Sequence, residues 1–146
     1  MASEYETTRR VEWADTDTAG IIHFARYFRL MEEVEHEFLR SLNLSCMMER
    51  DGKKFTWPRV SASCEFLRPV RFEDVLDVKL NVLRKGQKSL TFGFVFRHNG
   101  NEVARGQLIT ACCLISDHEL TAVSIPDFIS DKIEGPPSFP PPNRPE

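Results

Sequence analysis

A chain of 146 residues with a net charge of -3 has no overall basic field, which excludes a nucleic-acid binder that neutralises phosphates on a broad cationic face. Apolar residues at 41% and charged residues at 28% are proportions that close one folded core. The start 1-MASEYETTRR-10 lacks an apolar leader segment, and no uncharged apolar run approaches the ~20 residues of a membrane span.

The cysteines Cys46, Cys64, Cys112 and Cys113 form no C-x-x-C pair, and adjacent Cys112 and Cys113 would face opposite sides of a strand. Free thiols and no leader make a soluble protein of the reducing cytoplasm the expectation.

In chain order, residues 7 to 14 are expected to form a half-buried strand, with Val11 and Trp13 on one side. After the turn DTDTAG, apolar residues recur at Phe24, Tyr27, Phe28, Met31, Val34, Phe38, Leu39 and Leu42, the three- and four-residue steps of one helical face. Arg26, Arg29, Glu32, Glu33 and Arg40 occupy the opposite face, so a long helix is predicted from Phe24 to Leu42. Asn43 and Asp51-Gly52 then bracket a loop.

From Pro58 the period becomes two. Val60, Ala62, Cys64 and Phe66 mark one strand, Leu76, Val78, Leu80 and Val82 a second, and Leu90, Phe92, Phe94 and Phe96 a third. Asn99-Gly100 is a hairpin signal. Residues 102-EVARGQLITACCLI-115 read as one long strand with Gly106 as a bulge, and a shorter strand is expected from Leu120 to Ile125. One helix among antiparallel strands predicts an α+β domain over residues 1–134, a curved sheet packed on the helix. The tail 135–146 holds six of the nine prolines and is expected to be extended or disordered.

The chemistry sits at the strand-to-helix junction. Arg10-Val11, four residues, Thr16-Asp17, two residues, Gly20-Ile21-Ile22, one residue, Phe24, two residues and Tyr27 form a spacing that resembles the active-site signature of the 4-hydroxybenzoyl-CoA thioesterase family. The departure is Ile22, where that family more often has valine. The resemblance continues through 58-PRVSASCEFLRPVRFEDVLDV-78 and covers about residues 7 to 126. It implies the hotdog fold, a long central helix wrapped by a curved antiparallel sheet of about five strands. It also implies a homodimer or homotetramer with active sites at a subunit interface, and hydrolysis of an acyl-CoA thioester. By resemblance Asp17 is the catalytic carboxylate, and the backbone N–H of Phe24 polarises the thioester carbonyl.

Elementary chemistry is consistent with that assignment. Thioester hydrolysis needs a nucleophile or an activated water, with donors placed where negative charge develops on the carbonyl oxygen. A helix N-terminus supplies unpaired N–H groups and the positive end of the macrodipole. Asp17 either attacks directly, giving a mixed anhydride, or acts as general base on water. The leaving thiolate has a thiol-like pKa near ~8.5, so a dedicated general acid is dispensable, and neither a metal nor a separate cofactor is implied. Asp15 is read as structural, and Thr16 and Thr18 as capping or orienting the turn, since Asp and Thr before a helix commonly cap it. His23 is a further candidate, to line the acyl pocket or assist a water.

The basic turn 84-RKGQKS-89 offers Arg84, Lys85, Lys88 and Ser89 as a clamp for the CoA phosphates, with Arg68 and Arg71 as secondary candidates. Phe55, Trp57, Met47 and Met48 are expected to border the acyl pocket. Glu33-Val34-Glu35-His36 is a single E-x-x-H, whereas di-iron bundles need two with further glutamates. A second hotdog lineage places a catalytic glutamate on the central helix, to which Glu32, Glu33 and Glu37 would correspond. The rival readings are a non-catalytic hotdog protein that binds acyl thioesters or serves in assembly, and a hotdog dehydratase, whose His-Phe dipeptide His23-Phe24 shares.

Overall fold

A computed structural model describes residues 2–136; all but the first two residues of the Pro-rich tail, and the expectation attached to them, lie outside the described residues. Strand β1 spans Glu4–Arg10 and pairs antiparallel with β5, Val75–Lys85. β5 continues to β6, Ser89–His98, then to β7, Asn101–Ala111, and β7 pairs with β4, Arg59–Phe66. The resulting five-stranded sheet has the order β1-β5-β6-β7-β4. A second sheet of four short strands, β2 (Met47–Arg50), β3 (Lys53–Thr56), β8 (Cys113–Ser116) and β9 (Glu119–Ala122), has the order β2-β3-β8-β9.

The central helix α1, Phe24–Ser41, buries Tyr27, Leu30, Met31, Val34, Phe38 and Leu39. These meet Leu76, Val78, Leu80 and Val82 of β5 and Leu90, Phe92, Phe94 and Phe96 of β6 in one core cluster. The period-two reading of β5 and β6 is therefore correct on both strands. Asn99 and Gly100 both take positive φ, as a tight β6–β7 hairpin turn requires.

Four local expectations need correction. β1 ends at Arg10, and Trp13 opens a single 3-10 turn, so Val11 is buried while Trp13 is 76% exposed. The cause is Asp15, whose Oδ2 accepts the Glu12 amide at 2.8 Å and so competes with the sheet ladder. The supposed loop at 43–52 holds β2 and the turn of the β2–β3 hairpin, at Asp51-Gly52 with both residues at positive φ. Its strands MMER and KKFT carry no alternating pattern and are held by pairing β3 with β8.

The long strand 102–115 breaks at Cys112. Its amide donates to Lys88 O at 2.7 Å and its carbonyl accepts Val123 N at 2.9 Å, which passes the chain from one sheet to the other. Gly106 is not a bulge, since it stays in register with Phe94 and Cys64. Glycine stands there because α1 presses close. A Cβ at Gly106 would lie 2.1 Å from Met31 Sδ.

Glu35 is four residues from both Met31 and Leu39 and falls inside the buried stripe, 1% exposed. Its Oε1 accepts from Arg59 Nη1 at 3.2 Å, and its Oε2 lies 2.9 Å from Nη2 without hydrogen-bond alignment. Burial pushes the carboxyl up to about 7 from an ordinary 4.5, with Arg59 opposing the shift. A carboxyl that holds its proton more tightly when folded makes stability fall as pH rises from about 4.5 to about 7. Melting temperatures of wild type and Glu35→Gln are expected to separate across that window, with the wild type losing ground as pH rises. Parallel curves would contradict the assignment.

Candidate active site

The DTDTAG corner is built by main-chain bonds to the segment ahead of β5. Val11 N donates to Asp74 O at 2.8 Å, Ile22 N to Val70 O at 2.8 Å, and Ile21 bridges Arg71. Between them the chain folds on itself. Asp17 N donates to Ile21 O at 2.9 Å and Gly20 N to Asp17 O at 3.0 Å, with Gly20 at φ +76. This conformation favours glycine because a side chain is disfavoured there.

The two aspartates face different surroundings. Asp15 is buried, with Oδ2 on the Glu12 amide, Oδ1 accepting from Arg26 Nε at 2.7 Å, and its carbonyl accepting the His23 amide at 2.8 Å. It anchors the corner to α1. It also lies on the wall of a larger, charged cavity of about 690 Å³ between β1 and α1. Asp17 is half-buried, and its Oδ1 accepts the Ala19 amide at 2.9 Å, while Oδ2 takes no hydrogen bond among the described residues. It lines a separate cavity of about 370 Å³ with Ile21, Ile22, Phe24, Tyr27, Phe66, Leu67, Arg68 and Pro69. That smaller cavity, not the larger one, combines apolar walls with few polar groups, the usual character of a small-molecule site.

Phe24 is the first residue of α1. The Ala25 amide is taken by His23 Nδ1 at 3.2 Å and the Arg26 amide by His23 O at 2.9 Å, whereas the Phe24 amide has no partner among the described residues. The Phe24 side chain, predicted on the buried face, is 59% exposed at the cavity mouth, 6.2 Å from the Phe66 ring edge-on. His23 is the helix N-cap and does not line the cavity, so its ring is committed to capping.

The other sequence candidates are not gathered here. The 84–89 turn lies beyond the far end of β5 from the corner, a length of roughly 30 Å for an 11-residue strand. Arg84 and Lys88 are exposed there, and Ser89 opens β6, its carbonyl accepting the Gly86 amide at 2.9 Å. Lys85 Nζ instead donates to Ser130 O at 2.7 Å and Ile133 O at 2.9 Å, which ties down α2, Asp127–Ser130. Of the secondary pair, Arg68 lines the Asp17 cavity, and Arg71 approaches Gly20.

Phe55 and Trp57 are buried in the core, and Met47 and Met48 line a different cavity of about 430 Å³. Glu33 and Glu37 are engaged by Arg9, and Glu32 is exposed. Two buried groups had no role assigned from the sequence, the Glu35 carboxyl and the hydroxyl of Tyr27, the latter without a hydrogen-bond partner among the described residues.

Comparison with known proteins gives this geometry a family. Residues 11–133 match the Thioesterase-like superfamily. A relative from Aquifex aeolicus described as "Putative esterase" is 34% identical over 127 residues, which cover 86% of this chain and 94% of that protein. A 1,4-dihydroxy-2-naphthoyl-CoA hydrolase from Synechococcus sp. strain WH7803 is 27% identical over 140 residues, covering 91% and 90%. The crystal structure of a 1,4-dihydroxy-2-naphthoyl-CoA thioesterase from Synechocystis shares the fold at a TM-score of 0.78, with 24% identity over 89% of this chain and 95% of that one. Among the described residues no helix is long and apolar enough to cross a membrane. The chain belongs to the thioesterase-like superfamily and is a hotdog-fold thioester hydrolase.

Proposed function

We propose that this protein hydrolyses an acyl-CoA thioester to a free carboxylic acid and CoA, with Asp17 as the catalytic carboxylate and the Phe24 amide as oxyanion donor. The observation that carries the reading is their meeting in one cavity. Asp17, whose Oδ2 takes no hydrogen bond among the described residues, and Phe24, whose amide has no acceptor there, are lining residues of the same 370 Å³ cavity. The naphthoyl-CoA hydrolases among its relatives support a CoA thioester as substrate.

Asp17 Oδ1 is held by the Ala19 amide, which leaves Oδ2 to act. As nucleophile, Oδ2 bonds to the thioester carbon, the carbonyl oxygen becomes an anion facing the Phe24 amide, and the C–S bond breaks to release the thiolate. Water then cleaves the mixed anhydride. As general base, Oδ2 takes a proton from water while the water oxygen attacks, and the proton passes to the departing sulfur. Both routes place the developing charge at the helix N-terminus, where one such donor is typically worth roughly 3–4 kcal/mol. No cofactor enters beyond the CoA of the substrate.

Assembly belongs to this reading. In one chain the 84–89 turn is far from Asp17, so Arg84, Lys88 and Ser89 would reach a bound CoA from another copy, in a homodimer or a pair of homodimers. A panel of acyl-CoAs assayed by thiol release tests the function. Turnover of at least one thioester is expected. Ligand-induced stabilisation without thiol release across the panel would instead identify a binding protein, and enoyl product with the thioester intact a dehydratase.

A further inference from the structure

Thioester hydrolysis moves negative charge through three positions: the attacking oxygen, the carbonyl oxygen and the sulfur. The first two have their groups in Asp17 and the Phe24 amide. The sulfur takes the electron pair of the C–S bond and leaves as an anion, with no partner yet named. Among the described residues that line the Asp17 cavity, Arg68 is the one cation. It forms no ion pair among the described residues, with Asp17 or with any other carboxylate. A guanidinium stays charged throughout the working pH range and can only donate.

Backbone bonds hold Arg68 at this place. The Leu67 and Arg68 amides both donate to Val103 O on β7, at 2.9 and 3.2 Å, which turns the chain straight after β4. Pro69 follows with a fixed φ. Val70 O then accepts the Ile22 amide at 2.8 Å, and Ile21 bridges Arg71. The segment carrying Arg68 is thus tied to the corner carrying Asp17, and the two opposite charges share one cavity. In the free chain Arg68 is exposed. A substrate filling the cavity displaces water beside it, and the lower local dielectric strengthens its field on the sulfur. Phosphate binding is the other use for this cation. In CoA an extended pantetheine arm separates the sulfur from the nearest phosphate by more than one arginine side chain can reach, so a cation in the Asp17 cavity stands at the sulfur end.

Resting on the reading that this cavity holds the reacting thioester, we propose that Arg68 is a further catalytic residue, whose guanidinium pairs with the departing sulfur and stabilises the thiolate. The C–S bond breaks, its electron pair goes to sulfur, and the acyl carbon keeps the oxygen of Asp17 or of water. Arg68 gives up no proton. The thiolate takes its proton afterwards from solvent, or from Asp17 on the general-base route.

The test varies the thiol. The acyl group that wild type turns over best is placed on 4-nitrothiophenol, thiophenol and N-acetylcysteamine, thiols of rising basicity, and on CoA. Values of kcat/KM are compared for wild type, Arg68→Met and Arg68→Lys. The poorest leaving groups need the cation most. Arg68→Met is expected to lose about tenfold or more on the N-acetylcysteamine and CoA thioesters and less than about threefold on the 4-nitrothiophenyl one, with Arg68→Lys recovering most of the loss. Both variants are expected to melt with wild type, since Arg68 has no ion pair to lose. N-acetylcysteamine carries no phosphate, so a loss confined to CoA would assign Arg68 to phosphate binding and overturn the proposal. Equal losses on all four thioesters, no loss on any, or losses that Arg68→Lys does not reduce would overturn it too. Those outcomes leave the hydrolase reading standing, whereas wild type releasing no thiol from any of the four would remove both.

Discussion

Asp17→Asn is expected to lower kcat on the best acyl-CoA substrate by about 10³-fold or more while the protein stays folded. The amide is nearly isosteric, and its oxygen can still accept the Ala19 amide, so the loop that Asp17 brackets is preserved. What disappears is the negative charge of a residue that lines the cavity. A general base typically supplies 10²–10⁴-fold and a nucleophile more, so the size of the loss bears on which route operates.

Asp15→Asn should behave in the opposite way. Asp15 is buried on the Arg26 guanidinium and the Glu12 amide, so neutralising it is expected to cost about 1–3 kcal/mol of stability, with far less effect on turnover. Thiol-release kinetics and melting curves on the two variants check the pair. Wild-type turnover in Asp17→Asn would remove the carboxylate from the mechanism.

Gly106→Ala is expected to destabilise the fold by about 1–3 kcal/mol, although alanine normally suits a strand at least as well as glycine. The added methyl would sit 2.1 Å from Met31 Sδ and 2.9 Å from Met31 Cε, in a core where Met31 is wholly buried. Either the thioether gives way or α1 lifts from the sheet. Because α1 carries Phe24 and Tyr27, lifting it would also disturb the cavity. A double-mutant cycle with Met31→Ala distinguishes this clash from a generic strand effect. The double variant should lose less stability than the sum of the single losses, because the truncated side chain makes room for the methyl. Additive losses, measured by urea unfolding, would show that the close approach is not what requires glycine.

These experiments separate what was readable along the chain from what was not. The helix was legible from its three- and four-residue steps, β5 from its alternation and β6 from apolar residues at every second position, because these patterns depend only on neighbours a few residues away. The corner at Asp17 was legible for the same reason, since D-T-D-T-A-G is local turn chemistry leading straight into a helix.

Tertiary structure decided the rest. Val11 and Trp13 share a parity, yet one is buried and the other exposed, because a buried carboxylate at Asp15 ended the strand between them. Lys85 reads as a free cation in a basic turn until α2 folds beneath it and takes its ammonium. Glu35 is only an inner residue of a single E-x-x-H until Arg59, 24 residues away, meets it inside the core. Even the cavity has a local half and a distant half. Residues 17 to 27 are neighbours in the chain, but Phe66, Leu67, Arg68 and Pro69 arrive only because β4 pairs with β7 and the 70–74 segment bonds to the corner. By itself the sequence determined the central helix, the main alternating strands and which residue types carry the chemistry, since those follow from short-range periodicity and turn preference. Which side chains share a wall depended on long-range pairing, whose partners no local pattern encodes.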